Sequence, residues 1–105
     1  ISTFRAHQGG DNPCYRCLYP AAPAAGIVPS CAEGGIFGAL AGVMGSMQGV
    51  EIIKEILEIG DSQSGWLSIY DALAASWHKI KLKPAANCPL CGPQKTILDL
   101  SSHAA

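Results

Sequence analysis

Four of the five cysteines in this 105-residue chain fall into two Cys-x-x-Cys knuckles, Cys14/Cys17 and Cys88/Cys91. A knuckle of this spacing can direct two thiolates at one ion, and two knuckles complete a tetrahedral four-cysteine site of the kind that favours zinc. Such a site has no open coordination position, so its role is structural. Gly92, directly after the second knuckle, frees the backbone turn around the sulfurs. The site would tie the loop near the start of the chain to a loop near its end, closing a long stretch with one bond network. Redox or structural disulfides are the rival reading, disfavoured if the chain is cytosolic. His7 and His103 offer substitute ligands, but neither is needed.

The fifth cysteine, Cys31, stands alone in Val28-Pro29-Ser30-Cys31-Ala32-Glu33-Gly34-Gly35, where a proline-rich loop runs into the one long helix the sequence offers. A thiol at a helix start faces unpaired N–H groups and the positive end of the helix dipole, both of which favour thiolate. Cys31 is therefore a candidate nucleophile. No base lies nearby in sequence, and the alternative is a small, half-buried apolar residue.

Composition limits the remaining possibilities. The chain is 49% hydrophobic and only 14% charged, against roughly 25% charged in an ordinary soluble domain. It can build one core but lacks dedicated solvent-facing surface, so part of it should be covered by a second copy or by the rest of a larger protein. The start at Ile1-Ser2-Thr3-Phe4, without an initiator Met, suggests a segment from mid-protein. A net charge of −1 with scattered Lys and Arg leaves no basic stripe, and nucleic acid is not an expected partner. No secretory signal is seen, and a cytoplasmic location is expected. The uncharged run from Gly34 to Val50 contains Ser46, Gln48 and six glycines. It sits at the bottom of the roughly 17–25 residue spanning range and has no cationic flank, so it reads as a buried helix and no membrane is expected.

The elements that must position the cysteines follow from periodicity. Ile1 to Ala6 is a strand candidate and His7 to Pro13 is turn chemistry. Pro20, Pro23 and Pro29 bias the next segment to an extended crossing loop. From Gly34 to about Leu57, apolar residues recur at helical steps, and Gly60 is the expected stop. A second stripe, Gly35, Gly38, Gly42, Gly45 and Gly49, costs about 1 kcal/mol per interior glycine and implies a close neighbouring backbone, within the domain or across a dimer. Trp66–Asp71 and Ser76–Lys83 read as an antiparallel hairpin turned by residues 72–75. One face carries Trp77, Lys79, Lys81 and Lys83; His78, on the other, is read as a packed residue. Thr96–Leu100 is a last strand candidate.

Several of these stretches together resemble a known family: Pro13-Cys14-Tyr15-Arg16-Cys17-Leu18-Tyr19-Pro20, Pro29-Ser30-Cys31-Ala32-Glu33-Gly34-Gly35-Ile36-Phe37-Gly38, Gly42-Val43-Met44-Gly45-Ser46-Met47-Gln48 with Glu51-Ile52-Ile53-Lys54, Tyr70-Asp71-Ala72 and Cys88-Pro89-Leu90-Cys91-Gly92. In order and spacing, from Ile1 to Gly92, they are similar to the C-terminal part of the MoeB/ThiF/HesA family, the bacterial relatives of ubiquitin-activating enzymes, with the wording around Cys31 leaning to the MoeB type. The resemblance implies an α/β fold: the C-terminal part of a Rossmann-like domain, residues 1–105, carrying a long Gly-rich helix, an antiparallel hairpin and a four-cysteine zinc site.

It also implies an enzyme that uses ATP and Mg2+ to adenylate the C-terminal glycine of a ubiquitin-like sulfur-carrier protein (MoaD/ThiS-like), in molybdenum cofactor or thiamin biosynthesis. The family works as a homodimer, with the proline-rich loop across the path of the carrier's tail. Cys14, Cys17, Cys88 and Cys91 match its structural zinc ligands. Cys31 matches a cysteine that some members use for a thioester or persulfide and others do without. Nothing here resembles the Gly-rich loop that would cradle ATP phosphates, so the nucleotide-binding half is expected upstream, as a partner of this chain. The piece alone is expected to be inactive. The alternative is a stand-alone zinc-binding interaction module docking through its glycine-striped helix.

Overall fold

The computed structural model describes residues 1–27, 29, 34–35 and 37–101. A 3-10 turn at Ala6–Gln8 leads to a one-turn helix α1 (Tyr15–Leu18), a long helix α2 (Gly38–Leu57) and a hairpin of β1 (Trp66–Asp71) and β2 (Ser76–Lys81). The two strands form a two-stranded sheet. One parallel bridge, Thr3 with Ser64, is all that forms of the strand expected at Ile1 to Ala6. It continues in a hydrogen bond from the Ser68 amide to the Ile1 carbonyl at 2.8 Å, which lays the first residues beside β1.

Helix α2 begins later than its apolar pattern suggests. Gly35 sits at φ 72°, a left-handed setting that cannot run directly into a right-handed helix. The first turn then closes on Phe37, whose carbonyl accepts from the amides of Leu40 at 3.0 Å and Ala41 at 3.2 Å. The expected stop at Gly60 comes two residues earlier. Glu58 adopts φ 54°, ψ 46°, and its amide donates to the Lys54 carbonyl, as does that of Ile59 at 3.1 Å. This is the six-to-one closure that normally recruits glycine. Around this end, Arg5 Nε donates to Glu55 Oε2 at 2.8 Å and Ser62 Oγ to Glu55 Oε1 at 3.0 Å. The guanidinium's hydrogen bond holds the Glu55 carboxyl below its ordinary range. The pair is half-exposed, so its main effect is to fix where the helix end meets the first segment.

The hairpin follows its alternation. Trp66 pairs Lys81, Ser68 pairs Lys79 and Tyr70 pairs Trp77, so the aromatic and lysine residues share one face as expected. Tyr70 and Trp77 stack at 4.2 Å, and the ammonium groups of Lys79 and Lys81 each lie 4.6 Å from the Trp66 ring centre. Asp71 Oδ1 accepts from the Ala74 amide at 3.1 Å to hold the turn. Residues 96–100 form no strand. The amides of Thr96 and Ile97 both go to the Pro89 carbonyl, at 2.9 and 3.0 Å, so the segment is tied to the second knuckle and not to a sheet edge.

Burial is concentrated in one place. The buried residues among those described are Pro13, Cys14, Gly65, Cys88 and Gly92, and none belongs to α2. A Cβ built on Gly38, Gly42, Gly45 or Gly49 would meet nothing within 4 Å beyond the helix itself. The close neighbouring backbone that the stripe implies is therefore absent within the described residues. Val50, Ile52, Ile53, Ile56 and Leu57 stand exposed, and packing supplies most helical stability in proteins, so this surface is that of a helix suited to being covered. No helix among the described residues is long and apolar enough to cross a membrane.

The left-handed Glu58 gives a direct test. A non-glycine residue there carries a penalty of roughly 1–2 kcal/mol, partly offset in the glycine variant by a more flexible unfolded chain. Glu58→Gly should raise unfolding stability by about 0.5–1 kcal/mol in urea titrations, and an unchanged or lower midpoint would contradict the strained cap.

Candidate metal centre

Each knuckle is shaped by its own backbone before the two meet. Cys14 stands in extended conformation immediately before α1, and the Cys17 amide donates back to the Cys14 carbonyl at 3.1 Å, bringing the two sulfurs to 3.7 Å. In the second knuckle the Cys88 amide donates to the Ala85 carbonyl at 3.1 Å and the Gly92 amide to the Cys88 carbonyl at 3.1 Å. The chain is so tight here that a Cβ on Gly92 would lie 2.6 Å from the Cys88 carbonyl oxygen. Glycine is required for close approach, which is a stronger demand than the turning freedom inferred from sequence.

The knuckles then face each other across 74 residues. Cys14 Sγ lies 3.5 Å from Cys88 Sγ, and Cys17 Sγ lies 3.4 Å from Cys91 Sγ. All four sulfurs fall within 4.8 Å of one another. These spacings are too long for disulfides, whose S–S bond is about 2.05 Å, and the four cysteines are free. A zinc–thiolate bond of about 2.3 Å in tetrahedral geometry asks for sulfur separations of roughly 3.8 Å. The three shortest contacts come within a few tenths of an ångström of that figure, so the donor set fits a tetrahedral ion.

The electrostatics point the same way. Burial opposes ionisation of Cys88, but backbone amides of Cys91 and Leu90 and the neighbouring thiols outweigh it and bring the thiol down to about 6. Burial pushes the Cys14 thiol up. Cys91 is exposed as a residue, yet its sulfur turns into the cluster; desolvation there, with the adjacent sulfurs, pushes it up to about 12. One thiolate is welcome and further ones are resisted, because like charges at these distances repel. A divalent cation at the centre removes that resistance.

All four cysteines expected from the spacing are thus brought together. Cys31 lies outside the described residues, as do Ser30, Glu33 and His103. Sequence reasoning did not anticipate the open groove beside α1, about 520 Å3, lined by Tyr15, Arg16, Tyr19, Ala21, Ala22 and Pro23. Its signal was the pairing of Tyr15 and Tyr19 four residues apart, whose rings lie 5.4 Å apart. These residues sit directly between the first knuckle and the proline-rich loop.

Comparison with known proteins agrees with this architecture. The ThiF family matches residues 2–90. The chain is 45% identical over 98 residues to a sulfur carrier protein adenylyltransferase of Thermus thermophilus, covering 93% of this chain and 36% of that protein. It is 42% identical over 98 residues to the adenylyltransferase and sulfurtransferase MOCS3 of Bos taurus, covering 92% of this chain and 21% of that one. The SAMP-activating enzyme E1 of Haloferax volcanii is 42% identical over 82 residues, covering 78% of this chain and 30% of the enzyme. The chain therefore spans about a third or less of the length of these relatives. On the family match across nearly its whole length, and on knuckles that meet in space as well as in spacing, this chain belongs to the ThiF family.

Proposed function

We propose that this chain is the zinc-stapled, C-terminal part of an adenylyltransferase that uses ATP and Mg2+ to activate the C-terminal glycine of a ubiquitin-like sulfur-carrier protein. The observation that carries the reading is the convergence of Cys14, Cys17, Cys88 and Cys91 in a chain whose relatives are named as a sulfur carrier protein adenylyltransferase and as an adenylyltransferase and sulfurtransferase. Zinc, when bound, supplies a tetrahedral tie and no reactive position. The chain's own residues do the rest: the two knuckles anchor α1 against the loop that follows the hairpin, and so set where the proline-rich loop leaves the metal centre. The groove formed by Tyr15, Tyr19 and Pro23 is apolar and open, which suits an extended peptide tail, and the carrier's tail is assigned to this side of the chain.

In the same reading, the nucleotide-binding half of a Rossmann-like domain lies upstream and covers part of the exposed face of α2. The glycines at 38, 42, 45 and 49, bare among the described residues, receive a close backbone from that half or from a second protomer of a homodimer. Cys31 is the thiol available for a thioester or persulfide link. The stand-alone zinc module gains no specific support, since its docking helix would have to fold without cover.

Two outcomes follow. Gly92→Ala forces a methyl against the Cys88 carbonyl and should cost about 1–3 kcal/mol, read as a lower melting temperature together with weaker zinc retention against a chelator. Unchanged values would mean the second knuckle is not built as described. For the activity, the full-length protein with a carrier should catalyse ATP–pyrophosphate exchange, this chain alone should not, and Cys31→Ser should lose any covalent carrier or persulfide adduct while keeping exchange. Absence of exchange in the full-length protein would overturn the adenylyltransferase reading.

A further inference from the structure

The four sulfurs are chemically alike but unequally placed. Cys14 and Cys88 are 5% and 1% exposed, and their 3.5 Å contact is buried. Cys91 is exposed and Cys17 half-buried, and theirs, at 3.4 Å, is both the shortest sulfur contact and the one that opens to solvent. The centre thus has a closed edge and an open edge. From this asymmetry we infer that Cys17 and Cys91 form an oxidation site, at which a peroxide converts the open edge of the centre into a disulfide while Cys14 and Cys88 remain thiols.

The chemistry balances with the peroxide as the only oxidant. The Cys91 sulfur attacks one peroxide oxygen and its thiol proton is lost; the S–O bond forms, the O–O bond breaks, and the departing hydroxide takes up that proton as water, giving a sulfenic acid. The Cys17 sulfur, already beside it, attacks the Cys91 sulfur and loses its own proton; the S–S bond forms, the S–O bond breaks, and a second water leaves. The two thiols have lost two electrons and the peroxide has gained them. Reach favours this pair over the alternatives. The within-knuckle contact of Cys14 with Cys17 is longer, at 3.7 Å, and Cys14 is shielded. The Cys14 and Cys88 pair is close but closed to the oxidant, and access as well as thiolate character governs which cysteine oxidises. A new bond between residues 17 and 91 also preserves the link between the knuckles, because each sulfur comes from a different one. The centre would lose two of its four donors and hence its ion, without letting the two loops separate. The metal part of this inference rests on the zinc reading above; the pairing does not.

The test uses the zinc-loaded protein, titrated with hydrogen peroxide, with released zinc followed by a chromogenic chelator and disulfides mapped by peptide mass spectrometry. The expected result is a Cys17–Cys91 disulfide that accumulates in step with the loss of about one zinc per chain, both reversed by a dithiol reductant and added zinc. A first disulfide within either knuckle, or between Cys14 and Cys88, would overturn the assignment, as would overoxidation of Cys91 without a disulfide. A protein that holds no zinc before oxidation yet still forms Cys17–Cys91 would sink the metal reading and leave the pairing standing.

Discussion

Two short loops, 74 residues apart in sequence, must present their sulfurs to a common point, and nearly every other buried feature of the chain serves that requirement. Pro13 and Cys14 on one side and Cys88 and Gly92 on the other account for four of the five buried residues described, Gly65 being the fifth. A protein that keeps so little else from water relies on cross-linking chemistry where larger domains rely on apolar burial. The constraint is demanding at close range. Gly92 has no room for a methyl group, and the sulfurs lie near enough that a second thiolate is resisted unless a cation lies between them. The cluster thus joins close packing to a donor set that can hold a metal ion.

Beyond the centre, several surfaces stay uncovered among the described residues. Helix α2 carries four glycines on which nothing rests and several branched apolar residues that stay exposed. The hairpin is self-consistent, with its stack and its lysines over Trp66, but it is a two-stranded ribbon flanked only by the first residues, hydrogen-bonded beside β1. Isolated hairpins and isolated helices are both marginal in water. The low share of charge in the sequence agrees with this exposed apolar surface, since few side chains here are of the kind that favour water. The chain spans about a third or less of the length of its named relatives.

The cysteine pairs were legible because metal chemistry constrains spacing directly, and the hairpin because period-two alternation over Trp66–Asp71 and Ser76–Lys81 has few other solutions. The end of α2 near Leu57 was legible too, although its cap falls on Glu58 and not on Gly60. Its start was not, because the apolar pattern runs through Gly34 and Gly35 without registering that Gly35 is left-handed. The failed strand at residues 96–100 is instructive in the same way. Its β-branched and leucine residues satisfy the local rule, yet their amides are claimed by the Pro89 carbonyl, a partner visible only once the second knuckle has folded. The glycine stripe implied a close neighbouring backbone, and among the described residues none approaches it.

The division of the centre into a shielded and an open edge bears on why a fixed metal site would be built from two separated knuckles. A single compact loop carrying four cysteines would bury or expose them together. Each knuckle places one sulfur at the closed edge, Cys14 or Cys88, and one at the open edge, Cys17 or Cys91, so a bond across either edge would still join the two loops. The anchoring also fixes α1, and with it Tyr15, whose ring packs against that of Tyr19 at 5.4 Å and that of Phe4 at 5.9 Å. The groove beside the proline-rich loop is therefore positioned from the buried half of the site. The groove is thus held from the side of the sulfurs least accessible to solvent, while Cys17 and Cys91 face outward.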